Sequence, residues 1–322
     1  MSEPKRHHWW PKVQSKHWAA EDGKINVTKR DGTVFRTKPI NIGVQSELYT
    51  ATDGAGNKDT AVEIWLSETI DGPAETLIAY LTNPSNIKKE RRPIDAKSRQ
   101  VASATGFRLA RDYLEVMPLP GEVRAAIAAY LAALVVRNPR YLEKLMEFHR
   151  GQGVPELHGK NVSLANMMYM FDVYREAIGK AIFQISFRDG SQEYLFGDCG
   201  LAVEEPWKDG LMPFNIHAPI TPDIAISVLP LPLDDPRDIA FVSRTTNQGT
   251  SATNRIVVGA SRDFIFSRQS PPIDYIKKNM GVPAPENVGQ RIVNGQYETT
   301  YKGVTVSNPV SFGAPKRYLG SK

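Results

Sequence analysis

The chain has 322 residues, 41% of them apolar and 23% charged, with a net charge of +5 at neutral pH. These are the proportions of an ordinary folded protein, and they exclude a collagenous, disordered or disulfide-scaffold chain. One cysteine, Cys199, cannot close an internal disulfide, and no paired Cys/His spacing matches a structural zinc site.

Met1–Arg6 is polar and basic and runs into His7, His8, Trp9 and Trp10 with no apolar segment behind it, which predicts no secretory signal. Lys24 to Arg36 reads as a hairpin: Ile-Asn-Val-Thr alternates, Asp31-Gly32 turns, and Thr33 to Arg36 resumes. A Gly-rich loop, Asp53 to Asn57, closes this β-rich opening. Thr60 to Leu81 has an apolar stripe of Val62, Leu66, Ile70, Leu77, Ile78 and Leu81, so it predicts a helix kinked at Gly72-Pro73 or two short helices. The polar segment Thr82 to Thr105 carries Pro84 and Pro93 and the basic run Lys88, Lys89, Arg91, Arg92, Lys97 and Arg99; it reads as an exposed connection.

The strongest helical signal runs from Gly121 to His149 and should break or kink at Asn138-Pro139. Its apolar stretch, Ala125 to Val136, rises about 18 Å as a helix, short of the roughly 30 Å of a bilayer core. That predicts a buried helix and a cytoplasmic protein without a membrane span. A further helix passes through Met167, Met168, Met170, Phe171, Tyr174 and Ile178, with Ser163 as its expected cap and the methionines as gap-filling core. Beyond Lys180, short strands are expected at Ala181–Phe187, Glu193–Phe196, Ile224–Val228, Ile256–Gly259 and Phe264–Phe266, with Pro-rich loops between them. The resulting expectation is α+β: a β-rich segment (1–59), a helical middle (60–180) and a second β-rich segment (181–268) that shares one sheet with the first. Residues 269–322, rich in Pro and Gly, form a peripheral extension.

Several short elements come in the order of a known family. His8-Trp9-Trp10-Pro11 with Trp18 resembles the opening motif of domain-of-unknown-function family 4238. Lys29-Arg30-Asp31-Gly32, Glu47-Leu48-Tyr49, Val62-Glu63 and Arg137-Asn138-Pro139 are similar to its successive elements. Gly197-Asp198-Cys199-Gly200-Leu201 resembles its Asp turn, although Cys-Gly stands where Asn-Pro is usual. Ala218-Pro219-Ile220-Thr221-Pro222 and the stretch from Asn254 to Ser261, taken as a closing strand, complete the likeness over about residues 7 to 268. The family implies a fold and carries no established activity to transfer.

Four polar residues adjoin strongly apolar sequence: His8, Glu63, Arg137 and Asp198. Ionisable groups there are costly unless paired, so they are expected to converge. As a site, His8 would be a general base or metal ligand and Arg137 would grip an anionic group. Glu63 and Asp198 would join His8 on a divalent ion or activate water, which suits hydrolysis of phosphodiesters. The competing arrangement pairs Arg137 with Glu63 or Asp198 inside the protein and hydrogen-bonds His8 to a carbonyl. A third is a non-catalytic module for nucleic acid or another anionic partner, for which a basic excess is a modest asset. Neither Gly-x-Ser-x-Gly nor Gly-x-Gly-x-x-Gly occurs, which disfavours a hydrolase elbow and a dinucleotide fold. His7 reads as solvent-exposed, and Cys199 as a small residue in a tight turn.

Overall fold

A computed structural model gives the architecture; it describes residues 6–91, 113–203, 216–229, 238–282, 288–293, 296–301 and 304–308. The chain is α+β. It opens with β1 (Arg6–His8), the short helix α1 (Lys12–Ser15), the hairpin strands β2 (Ile25–Lys29) and β3 (Val34–Thr37), then β4 (Val44–Ser46), β5 (Ala51–Thr52) and β6 (Lys58–Asp59). The Asp31-Gly32 turn lies where the alternation predicts, with Gly32 at φ 89° and Asp31 accepting from the Thr33 amide at 2.8 Å.

The expected helix over Thr60–Leu81 is present as α2 (Ala61–Trp65), a π-helical turn over Leu66–Asp71, and α3 (Gly72–Thr82). The wide turn meets the chain just where Pro73 can donate no amide, so the helix continues without a break. Two short strands follow: β7 (Lys88–Arg91), inside the segment expected as an exposed connection, and β8 (Tyr113–Pro118), beyond it. The rest of that connection, with Arg92, Pro93, Lys97 and Arg99, lies outside the described residues.

Three helices form the middle: α4 (Gly121–Val136), α5 (Pro139–Gly151) and α6 (Glu156–Gly179). The first two separate at Asn138, whose backbone is extended, as the residue before proline prefers, and whose side chain accepts from the Arg140 amide at 2.9 Å. Ser163 is no cap. The helix begins seven residues earlier behind Pro155, and the Ser163 hydroxyl donates to the Gly159 carbonyl at 2.7 Å. Met167 is fully buried and Met168 and Met170 pack against the same core.

The later strands are β9 (Ile182–Arg188), β10 (Phe196–Gly197), β11 (Ala202–Val203), β12 (Ile216–Thr221), β13 (Ile224–Leu229) and β14 (Ile239–Thr245). They are followed by α7 (Asn247–Ala260), β15 (Phe264–Ser267), α8 (Ile273–Asn279) and a meander of β16 (Val288–Val293), β17 (Gln296–Tyr301) and β18 (Val304–Asn308). The expected strand around Ile256 is the end of α7. Thr250, Asn254, Val257 and Val258 are its buried positions, a helical spacing that the β-branched run Ile-Val-Val masks in the sequence. Of Glu193–Phe196 only Phe196 enters a strand. The amide of Leu195 binds instead to the Asn254 side chain at 2.8 Å.

The strands do not make one shared sheet. Seven of them form the central sheet in the order β11-β12-β13-β9-β14-β8-β7, with β9 and β14 parallel. The amino-terminal hairpin joins the late strands in a separate four-stranded sheet, β10-β15-β2-β3. Ile276 and Met280, from the far side of α8, pack with Leu195, Val258 and Ile265 in a small second core. No helix among the described residues is long and apolar enough to cross a membrane.

Aromatic packing carries the amino-terminal segment onto the late strands. The Trp10 ring stacks on Phe196 at 4.2 Å, lies 4.6 Å from Phe266 and meets Trp18 edge-on at 5.6 Å, and all four rings are buried. Trp10 reaches this position because Gly43, at φ 62°, passes directly beneath it and its carbonyl accepts from the Trp9 amide. A Cβ on Gly43 would lie 2.5 Å from that of Trp10. Gly43→Ala should therefore lower stability by about 2 kcal/mol or more, from left-handed strain plus the clash, measured as a lower urea midpoint at unchanged m-value.

Candidate functional site

The four expected residues fall into two places. The first is centred on Arg137, at the carboxyl end of α4, whose side chain is 1% exposed. Its guanidinium takes Asp71 in a two-point grip, Nη1 to Oδ1 at 2.6 Å and Nη2 to Oδ2 at 3.3 Å, and Nη2 also donates to the backbone carbonyl of His8. The Tyr49 hydroxyl donates to the carbonyl of Arg137 itself. Three separate elements thus meet on one residue: β1, the turn after β4, and the π-turn between α2 and α3. Burial works against the charge, but the neighbouring Asp71 carboxylate outweighs it and holds the guanidinium firmly protonated.

The paired acid is neither Glu63 nor Asp198. Asp71, at the end of the π-turn, takes that place. An acidic residue directly before Gly72-Pro73 was the available signal in the sequence, hidden because that dipeptide reads as a simple break. His8 contributes its backbone carbonyl to Arg137.

The imidazole in the cluster belongs to His7, which is fully buried, contrary to the exposed position expected for it. Strand alternation sends neighbouring side chains to opposite faces, so the choice between His7 and His8 turned on a register the sequence does not reveal. The His7 ring stacks on Tyr49, with centroids 5.8 Å apart, and Nδ1 accepts the Tyr49 amide at 2.9 Å. Glu63 Oε2 stands 3.9 Å from the same nitrogen. Because Nδ1 accepts the Tyr49 amide, it is the acceptor nitrogen of the ring that faces Glu63. Glu63, in the first turn of α2, is pushed up to about 7, chiefly by burial, with Arg137 pulling the other way and Asp71 adding to the rise.

Asp198 lies in the second place. It follows β10 in the turn Gly197–Gly200 and accepts three backbone amides: Arg262 at 2.9 Å, Asp263 at 2.7 Å and Phe264 at 3.2 Å, with Arg140 Nη2 at 3.5 Å. Its carbonyl accepts from the Asn138 side chain at 3.0 Å. This carboxylate ties the entry of β15 to the α4–α5 junction, and its lone pairs are spent there. Beside it, burial pushes the Cys199 thiol up to about 12, which removes it as a nucleophile and fits a small residue in a tight turn. Gly197 is required here, since a Cβ would stand 1.9 Å from Ser261 Oγ.

The metal set His8, Glu63 and Asp198 is not assembled. Among the described residues no three His, Cys, Asp or Glu side chains gather to hold an ion, because Asp198 is locked at the other knot. Arg137 cannot grip an external anion either, since both Nη atoms already serve Asp71 and His8. Glu63 is the one group of the cluster tuned to exchange a proton near neutral pH.

Fold and site together define an α+β protein whose amino-terminal segment is knotted around a buried arginine paired with a half-buried aspartate. Residues 6–161 match the family model described as Protein of unknown function (DUF4238). The match takes in His7, His8, Tyr49, Glu63, Asp71 and Arg137, and it ends before Asp198, so it is shorter than the likeness read along the sequence. No curated protein and no solved structure matches the chain.

Two outcomes follow for stability. Glu63 is held above its ordinary value in the folded state, so folding favours the protonated acid. That contribution is complete below about pH 4.5 and is lost as the pH rises through about 7, a change of about 3 kcal/mol at most, seen as a falling urea midpoint. Glu63→Gln should flatten this slope. Asp71→Asn should cost about 3 kcal/mol by leaving a buried guanidinium without its counter-charge, and Asp71→Leu combined with Arg137→Met should recover part of that loss in the same denaturation experiment.

Proposed function

We propose that the protein is a non-catalytic module that binds a polyanion, nucleic acid first among them, along the outer edge of the central sheet. The observation that carries this reading is a concentration of charge. Between residues 88 and 111 the sequence holds eight Lys and Arg against two acids, an excess larger than the net +5 of the whole chain. Lysines 88 and 89, which begin this run, are exposed on β7, the last strand of the seven-stranded sheet. Lysine on an edge strand also discourages strand pairing between molecules. Edge protection needs one or two charges, whereas a run of this size is an electrostatic footprint. The commitment of Arg137 and Asp198 to internal partners favours binding over chemistry. A cytoplasmic setting is part of the proposal and accords with a single cysteine kept as a half-buried free thiol.

The test is retention on heparin and binding to a labelled 20-nucleotide strand at several salt concentrations. Lys88→Glu combined with Lys89→Glu should weaken both by at least tenfold and make the salt dependence shallower. Binding that is unchanged in this variant, or absent from the natural chain, overturns the reading.

A second reading keeps the hydrolase of phosphodiesters, on one observation: Glu63, partly exposed and tuned to about 7, has the proton affinity of a general acid or base. It predicts slow cleavage of bis(p-nitrophenyl) phosphate, with or without added divalent ions, with a pH profile bending near 7 and lost in Glu63→Gln. No cleavage between pH 5 and 9 removes it.

A further inference from the structure

Helices α7 and α8 pack side by side and leave between them an open cleft of about 440 Å³. It is lined by Arg255 of α7 and by Asp274, Tyr275, Lys278 and Asn279 of α8. The walls are fixed from below. Ile276 and Met280 are buried in the second core with Val258, and the Gly281 amide donates to the Val258 carbonyl at 3.3 Å, which ties the end of α8 to α7. The Asn279 side chain donates to the Tyr275 carbonyl at 2.7 Å. The outer flank of α8 rests on the hairpin turn, where a Cβ on Gly32 would stand 3.4 Å from Ile273 and 3.5 Å from Lys277.

Arg255, Asp274 and Lys278 are exposed at the mouth of the cleft, and Tyr275 and Asn279 are half-buried. Neither Arg255 nor Lys278 forms an ion pair among the described residues. Burial raises the Tyr275 hydroxyl and the Arg255 charge pulls it down, so the guanidinium and the ring are neighbours. A lysine in the last turn of a helix complements the helix dipole, which accounts for Lys277 and Lys278. It does not account for Arg255, which enters the same space from the middle of α7.

Each lining group has a place on one kind of ligand. A guanidinium and an ammonium together match the charge of about −2 on a phosphate monoester, whereas a carboxylate would use only one of them. Asp274 repels such a phosphate, and its use is to accept from hydroxyl groups, as an acidic residue does from a ribose in dinucleotide folds. The Tyr275 ring offers a flat apolar surface to a base. The volume falls among those of small-ligand pockets. We infer that the α7–α8 cleft binds a mononucleotide, with the phosphate between Arg255 and Lys278, the ribose hydroxyls at Asp274 and the base against Tyr275. None of these residues belongs to the Lys88–Lys89 edge, so the inference stands apart from the polyanion reading.

The experiment is isothermal titration of the full chain with adenosine monophosphate, deoxyadenosine monophosphate, ribose phosphate and inorganic phosphate. Adenosine monophosphate should bind with a dissociation constant below about 1 mM, at least tenfold more tightly than inorganic phosphate. Arg255→Ala and Lys278→Ala should each weaken the nucleotide and ribose phosphate about tenfold. Tyr275→Leu should weaken the nucleotide about fivefold and leave ribose phosphate unchanged, and Tyr275→Phe should restore the affinity. Asp274→Asn should bring the ribose and deoxyribose forms to one affinity. Thermal melting of each variant confirms that it is folded. No binding at about 1 mM nucleotide, inorganic phosphate held as tightly as the nucleotide, or affinity indifferent to both Arg255→Ala and Lys278→Ala overturns the inference. Lys88→Glu combined with Lys89→Glu should leave nucleotide binding unchanged; its loss there moves the nucleotide to the β7 edge and overturns the inference as well.

Discussion

A guanidinium enclosed at the end of an apolar helix is the constraint around which the amino-terminal half of this protein is arranged. Arg137 cannot be left without a counter-charge in that setting, because an unpaired buried ion costs several kcal/mol. Its requirements are met by groups from distant parts of the chain: the Asp71 carboxylate, the His8 carbonyl and, through its own carbonyl, the Tyr49 hydroxyl. Each partner fixes an element that has little holding power of its own. β1 has three residues, and α2 has five before the π-turn begins. Helices and strands of that length do not persist alone, so the charge pair supplies the specificity that local propensity cannot.

The same logic is repeated with neutral groups on the other side of the segment. Trp10 follows His8 by two residues and enters a cluster with Trp18, Phe196 and Phe266, so one short stretch is tied to the helical layer by its backbone carbonyl and to the late strands by its ring. The Asp198 knot closes the triangle. Three amides from the entry to β15 converge on its carboxylate, while its backbone holds Asn138, the cap of α5 and the neighbour of Arg137. Polar and aromatic joints thus connect the first, middle and last parts of the chain, although those parts lie in different sheets.

Much of this was legible in the sequence, and the losses have physical causes. Period and punctuation located the hairpin at Asp31-Gly32, the break at Asn138-Pro139 and the strand at Phe264. The apolar neighbourhood of Arg137 signalled a buried charge. What sequence could not supply was the partner across space: Asp71 lies 66 residues away in a π-turn whose wider period no local pattern announces. The exchange of His7 for His8 is a one-residue register matter, which flips a side chain from one face to the other. The α7 misreading came from three β-branched residues in a row. Their helical burial becomes visible only once Thr250 and Asn254, both polar, are seen to be buried beside them. The single shared sheet is not found because β7, within the stretch read as a connection, and β8, just before the long helix, complete the central sheet in place of the amino-terminal hairpin.

The division of charge within the molecule decides where a ligand can be met. A charge already balanced by a buried neighbour has no field left to offer, so Arg137 with Asp71, and Asp198 with its amides, are silent towards an approaching anion. The uncompensated positive charge in the sequence begins instead at Lys88, on an edge where water and ions have access and where a long-range field still acts. The groups that hold the fold and the groups free to recognise a partner are therefore different sets. The sealed cluster most conspicuous in the sequence belongs to the first.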